Sequence, residues 1–258
     1  MLLLGKELEY LEKYAVHDWD REYIKRGMIR TTFLFKKIAE YISLEDKRVL
    51  DLGCGIGNAS ILSSKYCSCV VGLDISINAL KRTKWRVDLR RIQSVHLTNG
   101  DALSLPFVDD VFDLVIAYDL YEHIKNKDNL LEEIFRVTKR KGFLVLTTGN
   151  LFFPFDRHTL LWFIDYLPKK LATCYVRLMK RGNSYEVFQP TYWSLRKKVC
   201  KYSKIIMVDG DSVLNIIEDT YPTYFHKYRK IIPLLKVLVK MGIFKFITPK
   251  LIALSQKL

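Results

Sequence analysis

Val49-Leu50-Asp51-Leu52-Gly53-Cys54-Gly55-Ile56-Gly57 is the stretch on which the reading of this chain turns. A short apolar run ends in an acid and passes into three glycines at alternate positions. Ala59-Ser60-Ile61-Leu62 then opens a helix. Glycines let a backbone turn tightly and approach a ligand closely, with helix N–H groups nearby. The dinucleotide-binding pattern G-x-G-x-x-G needs a glycine where this chain has Asn58; Gly57 makes it G-x-G-x-G instead.

Outward from this loop, strand-like and helix-like segments alternate. Arg48–Leu52, Val70–Asp74, Val95–Asn99, Phe112–Tyr118 and Phe143–Thr148 read as strands, and Ile77–Asp88 and Asp128–Val137 as helices. Asp128 is the expected N-cap of the second helix, and Gly142 the end of the turn after it. Glu22–Ile42 reads as one or two amphipathic helices, and another strand is expected near Lys204–Val208. The alternation predicts an α/β fold with a Rossmann-like, mostly parallel seven-stranded sheet, helices on both faces, and a helical lid inserted after the fifth strand. The expected division is an N-terminal helical cap (1–44), a ligand-binding core (45–150), an aromatic lid (151–190), and C-terminal strands with a basic amphipathic helix (191–258).

The 258 residues are 49% hydrophobic and 27% charged, which excludes a disordered, collagenous or coiled-coil chain. No apolar run approaches the length of a membrane span, and Met1-Leu2-Leu3-Leu4-Gly5-Lys6 is too short for an export signal. Five cysteines without a CxxC pair argue against a disulfide framework or zinc ribbon, so a cytoplasmic setting is expected. Charge is uneven. Residues 1–150 carry 23 Lys+Arg against 21 Asp+Glu, and residues 151–258 carry 19 against 7. Lys227–Leu258 has eight basic residues and no acid. Either the lysines only keep the surface soluble, or this half meets an anionic membrane or a nucleic acid. After Pro233, Lys236 and Lys240 lie on one face of an expected amphipathic helix.

The glycine loop resembles motif I of class I S-adenosylmethionine-dependent methyltransferases, and further motifs follow it in order. Gly72-Leu73-Asp74, Gly100-Asp101-Ala102, Leu105-Pro106-Phe107-Val108-Asp109-Asp110-Val111-Phe112-Asp113-Leu114-Val115 and Glu133–Gly142 are each similar to the family's successive segments. The usual Pro-Gly-Gly turn is replaced by Lys141-Gly142. Within the family the resemblance is to the type 11, ubiquinone-pathway O-methyltransferase-like members. It implies S-adenosylmethionine as cofactor, with Asp51, Gly53, Cys54, Gly55 and Gly57 around its methionyl portion. It also implies Asp74 on the ribose hydroxyls, Asp101 and Ala102 at the adenine, and Ile75, Tyr118 and Arg26 completing the site. Trp19, Tyr23 and Arg30 accompany Arg26 on the N-terminal helix; each is otherwise an ordinary surface residue.

On the acceptor side stands Ala117-Tyr118-Asp119-Leu120-Tyr121-Glu122-His123. His123 is a candidate general base or a structural histidine. The D-x-x-E-H spacing is similar to the metal site of ubiquinone-pathway O-methyltransferases and small-RNA 2′-O-methyltransferases. That resemblance makes Asp119, Glu122, His123 and His158 candidate ligands for a divalent metal such as magnesium, with His123 and His158 catalytic. Carboxylates and imidazoles suit a hard cation that lowers a hydroxyl's pKa. Asn150–Trp162 resembles a segment of methyltransferases of glycan and lipid-linked pathways. Its aromatics (Phe152, Phe153, Phe155, Trp162, with Phe163 and Tyr166 beyond) suit lid packing or an apolar acceptor.

The expected activity is O-methylation of a small-molecule, lipid-linked or glycan-linked acceptor. Two alternatives stand beside it: a metal-assisted RNA 2′-O-methyltransferase, and a non-catalytic cofactor-binding protein at a membrane surface.

Overall fold

Apolar residues run almost without alternation through Arg48–Leu52 (β1) and Phe112–Tyr118 (β4), the pattern of strands covered on both faces. A computed structural model of the chain describes residues 18–156, 158–209, 237, 246 and 248–258, and the side chains of all but 18–23, 208 and 209 among them. In it β1 and β4 lie side by side at the centre of a seven-stranded sheet of order β3-β2-β1-β4-β5-β7-β6. The other strands are Cys69–Asp74 (β2), Val95–Asn99 (β3), Thr138–Gly149 (β5), Ser203–Asp209 (β6) and Lys250–Lys257 (β7). Pairings among β1 to β5 are parallel, whereas β7 runs antiparallel to both β5 and β6.

Helices cover both faces. On one, Leu130, Leu131 and Ile134 of α4 (Lys127–Val137) pack on Leu50, Leu52, Leu144 and Leu146. On the other, Leu34 and Ile38 of α1 (Asp18–Ala39) and Ile61 of α2 (Asn58–Ser63) pack on Val49, Ile116 and Val145. Between β2 and β3 runs α3 (Ile77–Leu89); α5 (Lys169–Leu178) and α6 (Tyr192–Val199) precede β6. Chain order along the sheet reverses between β1 and β4. The carboxyl ends of such strands open a crevice, and that is where open α/β sheets bind ligands.

Several local expectations change. Where one or two helices were expected over Glu22–Ile42, the described residues form one, α1, ending at Ala39. The cap of α4 is Asn126, whose side chain accepts the Asn129 N–H; Asp128 instead takes the Lys198 ammonium at 2.6 Å. Gly142 lies inside β5, where a register shift between Phe112 and Leu114 absorbs Lys139–Lys141. The segment between β5 and α6 is largely turns, with a 3₁₀ turn at Ile164–Tyr166 and α5 its one α-helix. Bulky apolar side chains there pack as a small separate cluster, Leu161, Ile164, Ala172, Val176, Tyr185 and Val187. The expected basic helix after Pro233 lies outside the described residues. No helix among the described residues is long and apolar enough to cross a membrane.

Candidate active site

The glycine loop sits at the carboxyl end of β1. Gly53, Gly55 and Gly57 all have positive φ, where side chains are strained. A Cβ on Gly53 would stand 2.9 Å from Leu120, so the loop is pressed against the segment after β4. A Cβ on Gly55 would meet nothing within 4 Å, so the backbone there faces open space. The backbone N–H groups of Gly53 and Cys54 both bond to Leu73 O, at 2.8 and 3.0 Å, which ties the loop to the end of β2.

Asp74 ends β2 beside this space. One of its carboxylate oxygens accepts the Gly55 N–H and the other the Ser76 N–H, both at 2.8 Å. An ionised carboxylate has about four acceptor positions, so capacity for a diol remains. Ile75 follows with 73% of its surface exposed, an apolar platform at the crevice edge. Asp101, after β3, holds an Asx turn through the Leu103 N–H at 2.9 Å, and Ala102 is buried behind it. Asp51 is fully buried and accepts the Ser60 hydroxyl at 2.5 Å. Burial pushes its pKa up to about 6, against the Ser60 hydrogen bonds, and the nearby charge of Asp74 adds to the rise. Burial, with the charges of Asp51 and Asp74, also drives the Cys54 thiol well above its ordinary value. Arg26 is half-buried on α1, next to Gly27, which lies against the Asn58 side chain at the start of α2. Tyr118 ends β4 with the Lys250 ammonium 3.9 Å from its ring centroid. An acid-lined crevice of this kind suits a ligand carrying a diol, an apolar ring and positive charge.

The acceptor-side residues come from two chain segments. Glu122 and His123 form a 3₁₀ turn, Tyr121–His123, just after β4. His158 lies on the loop after β5 that is closed by an isolated bridge between Phe155 and Trp162. The two imidazole rings meet edge-on with centroids 4.9 Å apart, and His158 Nε2 stands 3.8 Å from Glu122 Oε1. Ligand-type atoms of Glu122, His123 and His158 all lie within 4.8 Å of one another. Glu122 is completely buried, and neither carboxylate oxygen has a hydrogen-bond partner. A buried carboxylate without donors is costly and calls for a counter-ion or a proton. Desolvation lowers the His123 pKa, opposed by the charge of Glu122.

Asp119, the fourth expected ligand, is outside this group. Its carboxylate takes the Lys250 ammonium at 2.8 Å and the Thr147 hydroxyl at 3.0 Å. Sequence spacing missed this because Lys250 is 131 positions away. It also missed Lys127, whose ammonium bonds to Tyr121 O and lies 4.3 Å from the Tyr121 ring centroid. Desolvation brings Lys127 down to about 8, while Glu122 acts in the opposite sense. A basic residue in the first turn after a cap was the one available signal.

Fold and crevice resemble those of a class I methyltransferase domain, and comparison with known proteins points the same way. Residues 50–146 match the family described as methyltransferase domain. An uncharacterized protein of Methanocaldococcus jannaschii is 36% identical over 150 residues, which are 55% of this chain and 60% of that one. Tocopherol O-methyltransferase of Arabidopsis thaliana is 36% identical over 107 residues, covering 40% of this chain and 30% of its own. Norajmaline N-methyltransferase of Rauvolfia serpentina is 30% identical over 112 residues, covering 43% and 38%. The chain thus spans less than two thirds of each of these relatives. Among solved structures, an S-adenosylmethionine-dependent methyltransferase from Mesorhizobium loti shares the fold with a TM-score of 0.61 at 15% identity. That likeness covers 85% of this chain and 94% of that one.

Proposed function

We propose that the chain transfers the methyl group of S-adenosylmethionine to a hydroxyl oxygen on a small-molecule, lipid-linked or glycan-linked acceptor. The buried Glu122 carboxylate without a hydrogen-bond partner, beside two imidazoles, is the observation that carries the acceptor half of this reading. A structural role alone leaves that carboxylate unexplained.

The crevice suits the donor. Asp74 retains acceptor capacity for the ribose hydroxyls, and Ile75 offers an apolar face to adenine. The open backbone at Gly55 leaves room for the methionyl portion. S-adenosylmethionine supplies an electrophilic methyl on a sulfonium, already a good leaving group. The protein's work is therefore alignment and exclusion of water. A hydroxyl acceptor must lose its proton as the new bond forms, and His123, beside Glu122 and His158, is placed to take it. His158 orients the acceptor from the opposite loop. Glu122, itself buried, stabilises positive charge on either exposed ring.

Glu122, His123 and His158 also fit a divalent ion: a hard carboxylate with two imidazoles in mutual reach, the carboxylate lacking any donor. Such an ion would lower the pKa of an acceptor hydroxyl.

The test is methyl transfer from labelled S-adenosylmethionine into panels of hydroxylated lipids, quinols and glycosides. Glu122→Gln and His158→Ala should lose turnover while keeping donor affinity. Donor affinity lost together with turnover in these variants would remove them from the acceptor side.

A further inference from the structure

The segment between β5 and α6 exposes a run of aromatic rings that lie outside its small buried cluster. Trp162, Phe163 and Tyr166 follow one another with ring centroids 6.1 Å apart at each step. The Tyr166 hydroxyl donates to Phe152 O at 3.1 Å. Phe152 in turn meets Trp193 of α6 edge-on, with centroids 6.0 Å apart. All five are exposed, at 43% to 57% of their surface. The stripe is therefore continuous across two chain segments, unlike the scattered apolar residues of an ordinary surface.

Two backbone positions hold it outward. Leu160 and Phe163 have φ values of 61° and 60°, where residues other than glycine are strained. Both present exposed apolar side chains, at 45% and 57%. Strain spent on pointing a leucine and a phenylalanine toward water marks a surface that meets something apolar.

The surrounding charge selects the partner. Lys170, Arg177, Lys180, Arg181, Arg196 and Lys197 are all exposed on or beside α5 and α6. Leu171, Leu178 and Met179 are exposed among them. Asp156 and Asp165 are drawn into hydrogen bonds with Thr159, Tyr185 and Gln189, leaving Glu186 as the one exposed acid among the described residues 150–199. Half-exposed tryptophan, tyrosine and phenylalanine, with exposed lysine and arginine on the α5 segment that follows them and on α6 that carries Trp193, match the interface of a bilayer with anionic headgroups. There the rings lie at headgroup depth and the bases meet phosphate. We propose that this aromatic stripe docks the protein on an anionic lipid surface. The docking stands apart from the methyl-transfer reading, although the same loop carries His158.

The test is co-sedimentation of the full chain with phosphatidylcholine vesicles, with and without phosphatidylserine. The chain should partition onto the mixed vesicles and much less onto pure phosphatidylcholine. Trp162→Ser with Phe163→Ser should weaken partitioning about tenfold. Lys180→Glu with Arg181→Glu should weaken it about twentyfold or more, since each base near such a surface contributes about fivefold. Melting temperature and S-adenosylmethionine binding, measured on the same preparations, should match wild type, because all four side chains are exposed and none is among the residues assigned to the donor. Three results overturn the proposal: no partitioning onto mixed vesicles; either double variant partitioning like wild type; or self-association that Trp162→Ser with Phe163→Ser abolishes, which would make a second copy the partner.

Discussion

Lys250, the first residue of β7, places its ammonium 2.8 Å from the carboxylate of Asp119, the residue after β4. The lysine side chain is 4% exposed and the aspartate 23%. The pair joins the C-terminal strand to the crevice edge, and it withdraws Asp119 from the neighbouring Glu122–His123–His158 group. Removing one partner strands the other with little water. Lys250→Met should therefore cost about 2 kcal/mol of stability, within the range for an unsatisfied charged group. Denaturant unfolding checks this. Lys250→Met combined with Asp119→Asn, which tolerates the left-handed backbone at that position, should recover most of the loss; two losses that simply add would mean the pair is not coupled.

Asp51 gives a pH-dependent prediction with a definite sign. Burial raises its carboxyl to about 6 in the folded chain, above the ordinary carboxylate value. Between those two values the folded chain holds a proton that the unfolded chain has released. Stability contributed by this group thus falls as pH rises through that window and stays low above it. Asp51→Asn keeps an acceptor for Ser60 and removes the charge. It should raise the melting temperature at pH 8 more than at pH 5, by up to about 3 kcal/mol in stability, while weakening S-adenosylmethionine binding. An equal shift at both pH values would contradict the assigned burial.

Gly27 lies in the interior of α1, where alanine ordinarily stabilises a helix by about 1 kcal/mol. Here a Cβ would strike the Asn58 side chain, which is fixed by the Arg86 guanidinium at 2.8 Å. Gly27→Ala should instead lower stability by about 1 kcal/mol, overpacking outweighing propensity, and weaken donor binding by displacing α1 and Arg26. Thermal unfolding and titration calorimetry on the variant measure both effects.

If Glu122, His123 and His158 hold a divalent ion, saturating Mn²⁺ should raise the melting temperature. At about a hundredfold excess over its dissociation constant the gain is about 3 kcal/mol, several degrees for a chain of this size. Glu122→Gln should abolish the shift and itself stabilise the ion-free protein, since a buried carboxylate without donors is replaced by a neutral amide. A wild-type melting curve indifferent to divalent ions would remove the metal from the account.

The parallel half of the sheet was legible because buried parallel strands read as short apolar runs, each punctuated at its carboxyl end. Asp51 near the end of β1, Asp74 at the end of β2 and Asp101 just after β3 all fall at the carboxyl ends of neighbouring parallel strands, so their common placement at one sheet edge follows from topology. Local chemistry misled where two residues could serve. Asn126 and Asp128 both suit an N-cap, and Asp128 went to Lys198 because a charged partner lies within reach. The Asp119–Lys250 pair depends on the antiparallel register that sets Gly149 opposite Lys250, and no sequence periodicity encodes it. The lid was expected to be helical. Leu160 and Phe163 adopt left-handed conformations instead, breaking any helix across them.

The central claim is that Asp74 and the backbone at Gly55 form one half of a cradle for the adenosyl ribose. Isothermal titration of S-adenosylmethionine into the wild-type chain and into Asp74→Ala tests it most directly. The account predicts one-site binding for the wild type and an affinity lower by about ten- to a hundredfold in the variant, the loss of charge-assisted hydrogen bonds. Absence of wild-type binding at millimolar ligand, or equal affinity in Asp74→Ala, would contradict it.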